Sequence, residues 1–557
     1  MAGSPSHSVD LSQAMIMAPS SPSDWLIISP IIITILAGAI MVMLRSKPNI
    51  HAYLATIAMA MVVTCELLLL QNVLEQGPQS MTMGRWMPPF GISFTVDAMG
   101  ALLAAVSGIV ALAVCIYSSL DINYTGRRLG FYPFLMLLMT GVSGSFLTGD
   151  IFNLYVWFEV MLISSFGLII LGGERAQIDG ALKYAILNLM ATTLFLVATG
   201  LLYGVTGTLN MADIALKTTL LPPGAPMGTI GALYFLAFAM KAAAFPVNFW
   251  LPASYHTPRI VVSAVFAGLL TKVGVYALIR TLVMILPESR EQLSEIMAIV
   301  AALTMLVGTL GALAQNDVRR ILGYLVIAGI GSMLAGVAIG TGTAIMGSIL
   351  YAVHSILVMT ALYLSLGVLI RMSGGKYSLA ELGGGYKASS LLSILFLVLV
   401  FAVSGLPPFS GFWPKFVLVE AALSEGHHWL TFAILISGLL TSIAMGRVWA
   451  HAFWRGGPIG TEDGRDAAPL NNLVGTVRAR AFIPISVLTV FVVIMGVMPT
   501  PFFGMAQAGS YSLLRPQAYT QAVFGEVIKQ KQEQHKIMNK EAESKNEVDK
   551  KEEGSHQ

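Results

Sequence analysis

The sequence predicts an all-α polytopic membrane protein with about fourteen transmembrane helices, and three observations carry that expectation. Of the 557 residues, 56 % are hydrophobic and only 11 % are charged, against about a quarter charged in a soluble domain; mean hydropathy is +0.76. The apolar residues fall into runs of roughly 20, the length that crosses the hydrocarbon as a helix. No stretch alternates in the roughly ten-residue units of a transmembrane β-barrel.

Residues 1–24 form a polar N-terminal segment without Lys or Arg. No positive region precedes the apolar run from Trp25 to Leu44, which reads as a retained first helix rather than a signal peptide. Further spans are expected near 51–71, 92–119, 131–149, 151–171, 180–204, 228–251, 260–286, 294–315, 320–340, 345–371, 390–422, 430–454 and 481–503. The least distinct boundary is LTGDIF at 147–152. Residues 504–557 are expected to be a charged tail, disordered or loosely helical, because its Lys- and Glu-rich end from Glu526 holds too little apolar surface to bury a core.

Lys and Arg in the short loops set the orientation. Arg45/Lys47, Arg127/Arg128, Arg175, Arg319/Arg320, Lys376/Lys387 and the group Arg455, Arg465, Arg478 and Arg480 follow odd-numbered spans. The intervening loops hold almost none, Arg290 being the main exception. Odd loops are therefore expected in the cytoplasm and both termini outside. A formal net charge of +3 points to no nucleic-acid partner. Cys65 and Cys115 both fall in apolar runs without CxxC spacing, so neither a disulfide framework nor a metal motif is expected.

The specific signal lies in ionisable residues inside the spans: Glu66, Glu159, Lys183, Lys241, Lys272, His354, Lys415 and Glu420. A charge at the bilayer centre costs at least ~2.5 kcal/mol on insertion scales and usually faces an interior path. Burial disfavours an isolated ammonium and a nearby carboxylate restores it, so Lys–Glu pairs that can be made and broken are devices for passing a proton. Glu66, placed near a helix terminus, is expected to reach the interface instead. A static buried ion pair is the plain alternative for Glu159 and Lys241, and a local helix contact for Lys272.

Two of the lysines adjoin helix breaks. Pro246 follows Lys241 by five residues, and Pro407 and Pro408, with Gly405 and Gly411, precede Lys415. Proline removes a backbone donor and clashes one turn back. Inside a membrane the freed backbone survives only against protein or water, and paired interrupted helices point to a transporter's ion path. The expected organisation is spans 1–3 over 25–130, two inverted five-helix repeats over 131–286 and 294–454 with broken helices 7 and 12, and a last span at 481–503. The repeat rests on the breaks alone, since the halves share no clear sequence identity.

The segments NLYVWFEVMLISSF, LKYAILNL, GTLNMADI, MKAAAFPVNFWLPASYHTP, LLTKVGVYALIR, QNDVRRILGY and SGLPPFSGFWPKF, in that order, resemble the antiporter-like membrane subunits shared by Mrp-type Na+/H+ antiporters, respiratory complex I and membrane-bound hydrogenases. WLPASYHTP and LLTKVGVYALIR look closest to the D-type subunits of the Mrp complexes. The resemblance covers roughly residues 90 to 455. It implies a proton relay through Glu159, Lys241 paired with it, Lys272, His354 linking the halves, and Lys415, with Lys183 a possible addition. It also implies no cofactor, other membrane subunits as partners within the lipid bilayer, and protons and Na+ (or K+) as the transported ions in a bacterial cytoplasmic membrane.

The chain departs from the family where many relatives carry a lysine one turn after the histidine: here it reads Met359. After WLP it has Ala253, where complex I relatives often have Asp. The leading expectation is a proton-translocating subunit of a cation/proton antiporter; the alternative is the same machinery driven by redox. Direct catalysis finds little support. His354 is the one histidine well inside a span, so a facing haem pair is missing, and the glycines of SGGKYSLAELGGG follow no strand that would make a phosphate-cradling loop. A purely structural subunit is the other reading.

Overall fold

The computed structural model describes residues 15–16, 21, 23–222, 224–456, 473 and 475–525. Most of the polar N-terminal segment, Arg465 and the tail from residue 526 lie outside them.

The chain begins with α1 (Asp24–Met43) and α2 (His51–Gln76), the latter stopped by Gly77 at φ 87°. Residues 92–97, expected as the start of the third span, are instead extended. The β-branched and aromatic run Ser93–Val96 (β2) pairs antiparallel with Gln79–Thr82 (β1), Gln79 facing Val96 and Thr82 facing Ser93. Helix α3 (Ala98–Asp121) starts only where the Asp97 carboxylate accepts the Gly100 N–H at 3.0 Å. A short α4 (Tyr124–Arg128) leads to α5 (Phe131–Leu147).

LTGDIF is a true boundary: α6 (Ile151–Ile169) begins where the Asp150 carboxylate accepts the Asn153 N–H at 2.8 Å. A capping box of Glu174 and Gln177 starts α7 (Arg175–Thr206) several residues before the expected 180. Then come α8 (Met211–Thr218), α9 (Met227–Ala242) and α10 (Trp250–Ser254). The next span is continuous but irregular: α11 (Ile260–Val265), a π-turn at Phe266–Leu270, α12 (Thr271–Leu278) and a second π-turn at Ile279–Ile285. Beyond α13 (Pro287–Gln292) follow α14 (Ser294–Ala314), α15 (Val318–Ile339) and the 31-residue α16 (Gly342–Met372). The remainder is α17 (Gly385–Ala388), α18 (Ser390–Ser404), α19 (Phe412–Ser424), α20 (His428–Trp449), α21 (Gly475–Val497) and α22 (Thr500–Leu514).

Among the described residues, eleven spans are long and apolar enough to cross a membrane. Three further expected spans correspond to the shorter apolar helices α5, α9 and α18; α9 and α18 are short because each ends at a break. The spans 260–285, 318–339 and 342–372 form the interior, with 94 % of the most apolar window of each buried. Helix α16 packs against α3, α11, α15, α18, α19, α21 and α22, so it is the axis of the bundle. Outer helices expose apolar stripes at helical spacing, as Ile178, Leu182, Ile186 and Leu189 do on α7, the side a bilayer would cover. Small residues let helices touch: a Cβ on Gly308 of α14 would lie 2.5 Å from the Ala328 nitrogen of α15.

Two expectations are corrected here. Residues 504–525, expected as part of the charged tail, include most of α22 and a further helical stretch at 517–525 whose Tyr519 is wholly buried. Their apolar face has a bundle to pack on, which the composition of the tail as a whole obscures. Glu66 does not reach the interface. It is wholly buried in α2, where Ser143 of α5 donates to it at 2.9 Å and Gly108 of α3 leaves room for its second oxygen.

Candidate ion-path site

At the first break, α9 stops with Ala243 in the left-handed region (φ 62°), and the Phe245–Pro246 peptide is cis. The freed backbone finds protein partners, as hydrocarbon depth requires. The Trp250 indole donates to the Met240 carbonyl at 3.1 Å, and the Phe245 N–H donates to the Thr304 hydroxyl of α14 at 2.9 Å. Trp250 is almost wholly buried, so it is a prop of the break and not the interfacial anchor its position at the end of an apolar run suggests.

Lys241 occupies the last turn of α9, buried, with its ammonium 4.7 Å above the ring centroid of Phe158. A cation over a ring face is held by the ring's quadrupole. Beside it is a cavity of about 20 Å³ bordered by Phe158, Tyr184, Asn188, Trp250 and Leu270, about the size that admits one water. The next residue on α6, Glu159, has a buried Oε1 without a hydrogen-bond partner among the described residues. No Glu159–Lys241 ion pair closes within 4.0 Å. The two groups implied to pair are neighbours held apart.

Lys272 is buried one helix away and donates to the Ala267 carbonyl at 2.5 Å, inside the π-turn Phe266–Leu270. A π-turn displaces the regular i→i−4 pattern and makes a carbonyl available to a side chain. Helix α12 sits directly on the end of α9, because Gly274 leaves the Lys241–Ala242 backbone room to approach. On its other side the span meets α16, where the Thr360 hydroxyl points to the Ala264 carbonyl at 3.4 Å and fills the space above Gly268.

His354 on α16 connects to the second break itself. Its Nδ1 lies 2.8 Å from the Ser410 hydroxyl, its Cε1 would be 3.0 Å from a Cβ on Gly411, and its Nε2 is buried without a partner among the described residues. The second break runs from the end of α18, through Gly405 at φ 84° and the cis Pro407–Pro408 peptide, to the start of α19. Lys415 reaches back across it. Its ammonium donates to the carbonyls of Ser404 at 2.8 Å and Val403 at 3.2 Å, the acceptors that the end of α18 leaves open.

The breaks therefore share an architecture but not a register. The Trp250 indole takes a carbonyl of the first half-helix in one, and the Lys415 ammonium does so in the other. Lys241, Lys272, His354 and Lys415 lie on α9, α12, α16 and α19; α12 packs on α9, the Phe266–Leu270 turn beside Lys272 packs on α16, and α16 packs on α19. Lys183 does not join them: it is half exposed on the outer face of α7, paired with Asp179 at 2.6 Å. Glu420 is exposed on α19, and Met359 is buried in α16 with no polar group to offer.

One buried ionic centre escaped the sequence reading. Arg280, at the end of LLTKVGVYALIR, forms a bidentate pair with Asp97, both contacts 2.7 Å and both side chains wholly buried. The Ser512 hydroxyl donates to Asp97 at 3.3 Å, and the ring centroids of Tyr276 and Tyr519 each lie 5.3 Å from the guanidinium. The signal was present, since both charges fall within expected spans, but each stood near a span end where a snorkelling side chain is ordinary.

Residues 148–441 match the family model described as NADH:quinone oxidoreductase/Mrp antiporter, TM. The D-type subunit of the Na(+)/H(+) antiporter of Alkalihalophilus pseudofirmus is 35 % identical over 501 residues, covering 90 % of this chain and 99 % of that one. The protein of the same name from Bacillus subtilis is 37 % identical over 428 residues, covering 77 % and 87 %. A chain of the Mrp complex from a Dietzia species superposes with a TM-score of 0.82 at 26 % identity, covering 90 % of this chain and all of that one. The match spans both breaks and every buried lysine between them, and the chain belongs to the NADH:quinone oxidoreductase/Mrp antiporter transmembrane family, alongside the D-type antiporter subunits.

Proposed function

We propose that this chain is the proton-translocating subunit of a multisubunit Na+ (or K+)/proton antiporter of a bacterial cytoplasmic membrane. Protons pass along Glu159, Lys241, Lys272, His354 and Lys415, and the two five-helix stretches 131–286 and 294–454 act as the half-channels on either side. The observation that carries this reading is the resting partner of each lysine in the row. Lys241 rests over a ring, Lys272 on the Ala267 carbonyl, and Lys415 on the carbonyls of Ser404 and Val403. A neutral amine can still donate to a carbonyl, so the contacts of Lys272 and Lys415 survive loss of a proton, and the ring over which Lys241 rests holds its proton less firmly than a tight carboxylate pair would. His354 has the same latitude, because the Ser410 hydroxyl can donate or accept.

The relatives' names and the Dietzia assembly support a hetero-oligomer in which cation export is shared with other membrane subunits. A row of lysines repels cations, so tight Na+ binding is placed outside this chain. The test is Na+-driven ΔpH, without reductant, in everted vesicles expressing the full set of subunits. Glu159→Ala is expected to abolish the signal while the complex still assembles. Full activity in that variant would overturn the proton path, and activity of this chain alone would overturn the need for partners.

A further inference from the structure

A groove of about 400 Å³ runs between α1 and α5, at the end of the bundle that the arginine pattern assigns to the cytoplasm. Its wall is apolar, with Ile35, Val42, Pro133, Phe134 and Leu137 along its length. Its mouth is cationic. Arg45, just past the end of α1, and Arg128, in the last turn of α4, both border it. Both are exposed and neither side chain has an ion-pair or hydrogen-bond partner among the described residues. Their neighbour Arg127 is committed elsewhere, donating to the carbonyls of Ile122 at 3.0 Å and Ser119 at 2.8 Å. His51 also borders the groove. It is 1 % exposed, its Nε2 lies 3.1 Å from the Leu44 carbonyl, and its Nδ1 is buried without a partner among the described residues.

We propose that this groove binds one anionic phospholipid of the cytoplasmic leaflet, its acyl chain along the α1–α5 wall and its phosphate between Arg45 and Arg128. An acyl chain needs no hydrogen bonds from an apolar wall, and a guanidinium fork matches phosphate oxygens in two directions. The two chemistries stand in the order in which a phospholipid presents them, tail toward the bilayer centre and charge at its surface. A free anion would leave the apolar wall unused. A helix of another subunit would need acidic residues to satisfy the two arginines, and that occupant is distinguished by the test.

The probe is dioleoyl phosphatidylglycerol, titrated by native mass spectrometry onto the assembled complex containing the full chain, with dioleoyl phosphatidylcholine as control. Wild type is expected to prefer the anionic lipid, and millimolar inorganic phosphate not to displace it. Arg45→Ala with Arg128→Ala should weaken phosphatidylglycerol binding by about fivefold per arginine and leave phosphatidylcholine unchanged, while Arg45→Lys with Arg128→Lys, which keeps the charge without the fork, should restore only part of the loss. Equal binding of the two lipids, or an unaltered double variant, would overturn the proposal. So would a photoreactive benzoylphenylalanine at position 35 that captures another subunit in native membranes instead of lipid.

Discussion

Gly274 of α12 lies against the backbone of Lys241: a Cβ added there would sit 3.2 Å from the Lys241 carbonyl carbon and 3.0 Å from the Ala242 nitrogen. The helix that carries Lys272 is thus fitted to the helix that carries Lys241 at the point where the latter breaks. Gly274→Ala requires a shift of only a few tenths of an ångström and should keep most transport. Gly274→Val should cost about 1–3 kcal/mol by overpacking and uncouple the two lysines. Thermal unfolding in detergent and Na+-driven ΔpH in vesicles measure the two effects, and a Val variant indistinguishable from wild type in both would refute the fit.

Lys415 combines a structural and a proposed proton-carrying role, and arginine separates them. Lys415→Arg keeps a donor for the Ser404 and Val403 carbonyls but cannot release its proton. Its melting temperature should stay near wild type while transport falls by about two orders of magnitude, the scale of a removed proton-transfer group. Lys415→Met should lose both. An active Arg variant would leave Lys415 as a brace for the break.

The Asp97–Arg280 pair should behave as a buried ion pair in mutagenesis. Arg280→Met strands the Asp97 carboxylate and should cost about 3–5 kcal/mol. Adding Asp97→Asn removes the stranded charge and leaves an amide oxygen for the Gly100 N–H, so the double variant should be more stable than the single. A double-mutant cycle on unfolding free energies reads this directly, and strictly additive losses would contradict it.

Asp150, between α5 and α6, is only 8 % exposed, and burial outweighs its backbone hydrogen bonds to lift its carboxyl to about 6. A raised carboxyl favours the folded state in its protonated form. That contribution is complete below the ordinary carboxylate range and is lost as pH rises through about 6. Asp150→Asn keeps the cap without the charge, so it should raise stability above pH 6, by up to about 3 kcal/mol, and make no difference near pH 4. Melting curves of both proteins across that range decide it; a constant offset at every pH would count against the assignment.

The breaks were legible because proline and an intramembrane lysine are local signals: Pro246, Pro407 and Pro408 mark where α9 and α18 stop, to within a few residues. Relations that depend on rotation or on distant partners were not. Lys183 stands in an apolar run like Lys241, yet its angle on α7 turns it outward to Asp179 while the adjacent Tyr184 borders the Lys241 cavity. Glu66 lies well inside α2, and only the arrival of Ser143 on α5 shows that it is held there. In the sequence the Ser93–Val96 strand merges with a neighbouring apolar run, because four residues carry too little period to separate a strand from a helix. The resemblance implies His354 as a link between halves, but its contact with Ser410 requires the loop to fold back on α16.

The clamp around Arg280 also bears on how the chain is made. Asp97 is synthesised 183 residues before Arg280 and 415 residues before Ser512. During translation an acidic side chain must wait for its counter-ion while the intervening spans are laid into the bilayer, and the hydroxyl and ring that complete its enclosure emerge almost last. A chain cut short before α22 would lack Ser512 and Tyr519, and its Asp97–Arg280 pair would stand without that hydroxyl and without one of its two flanking rings.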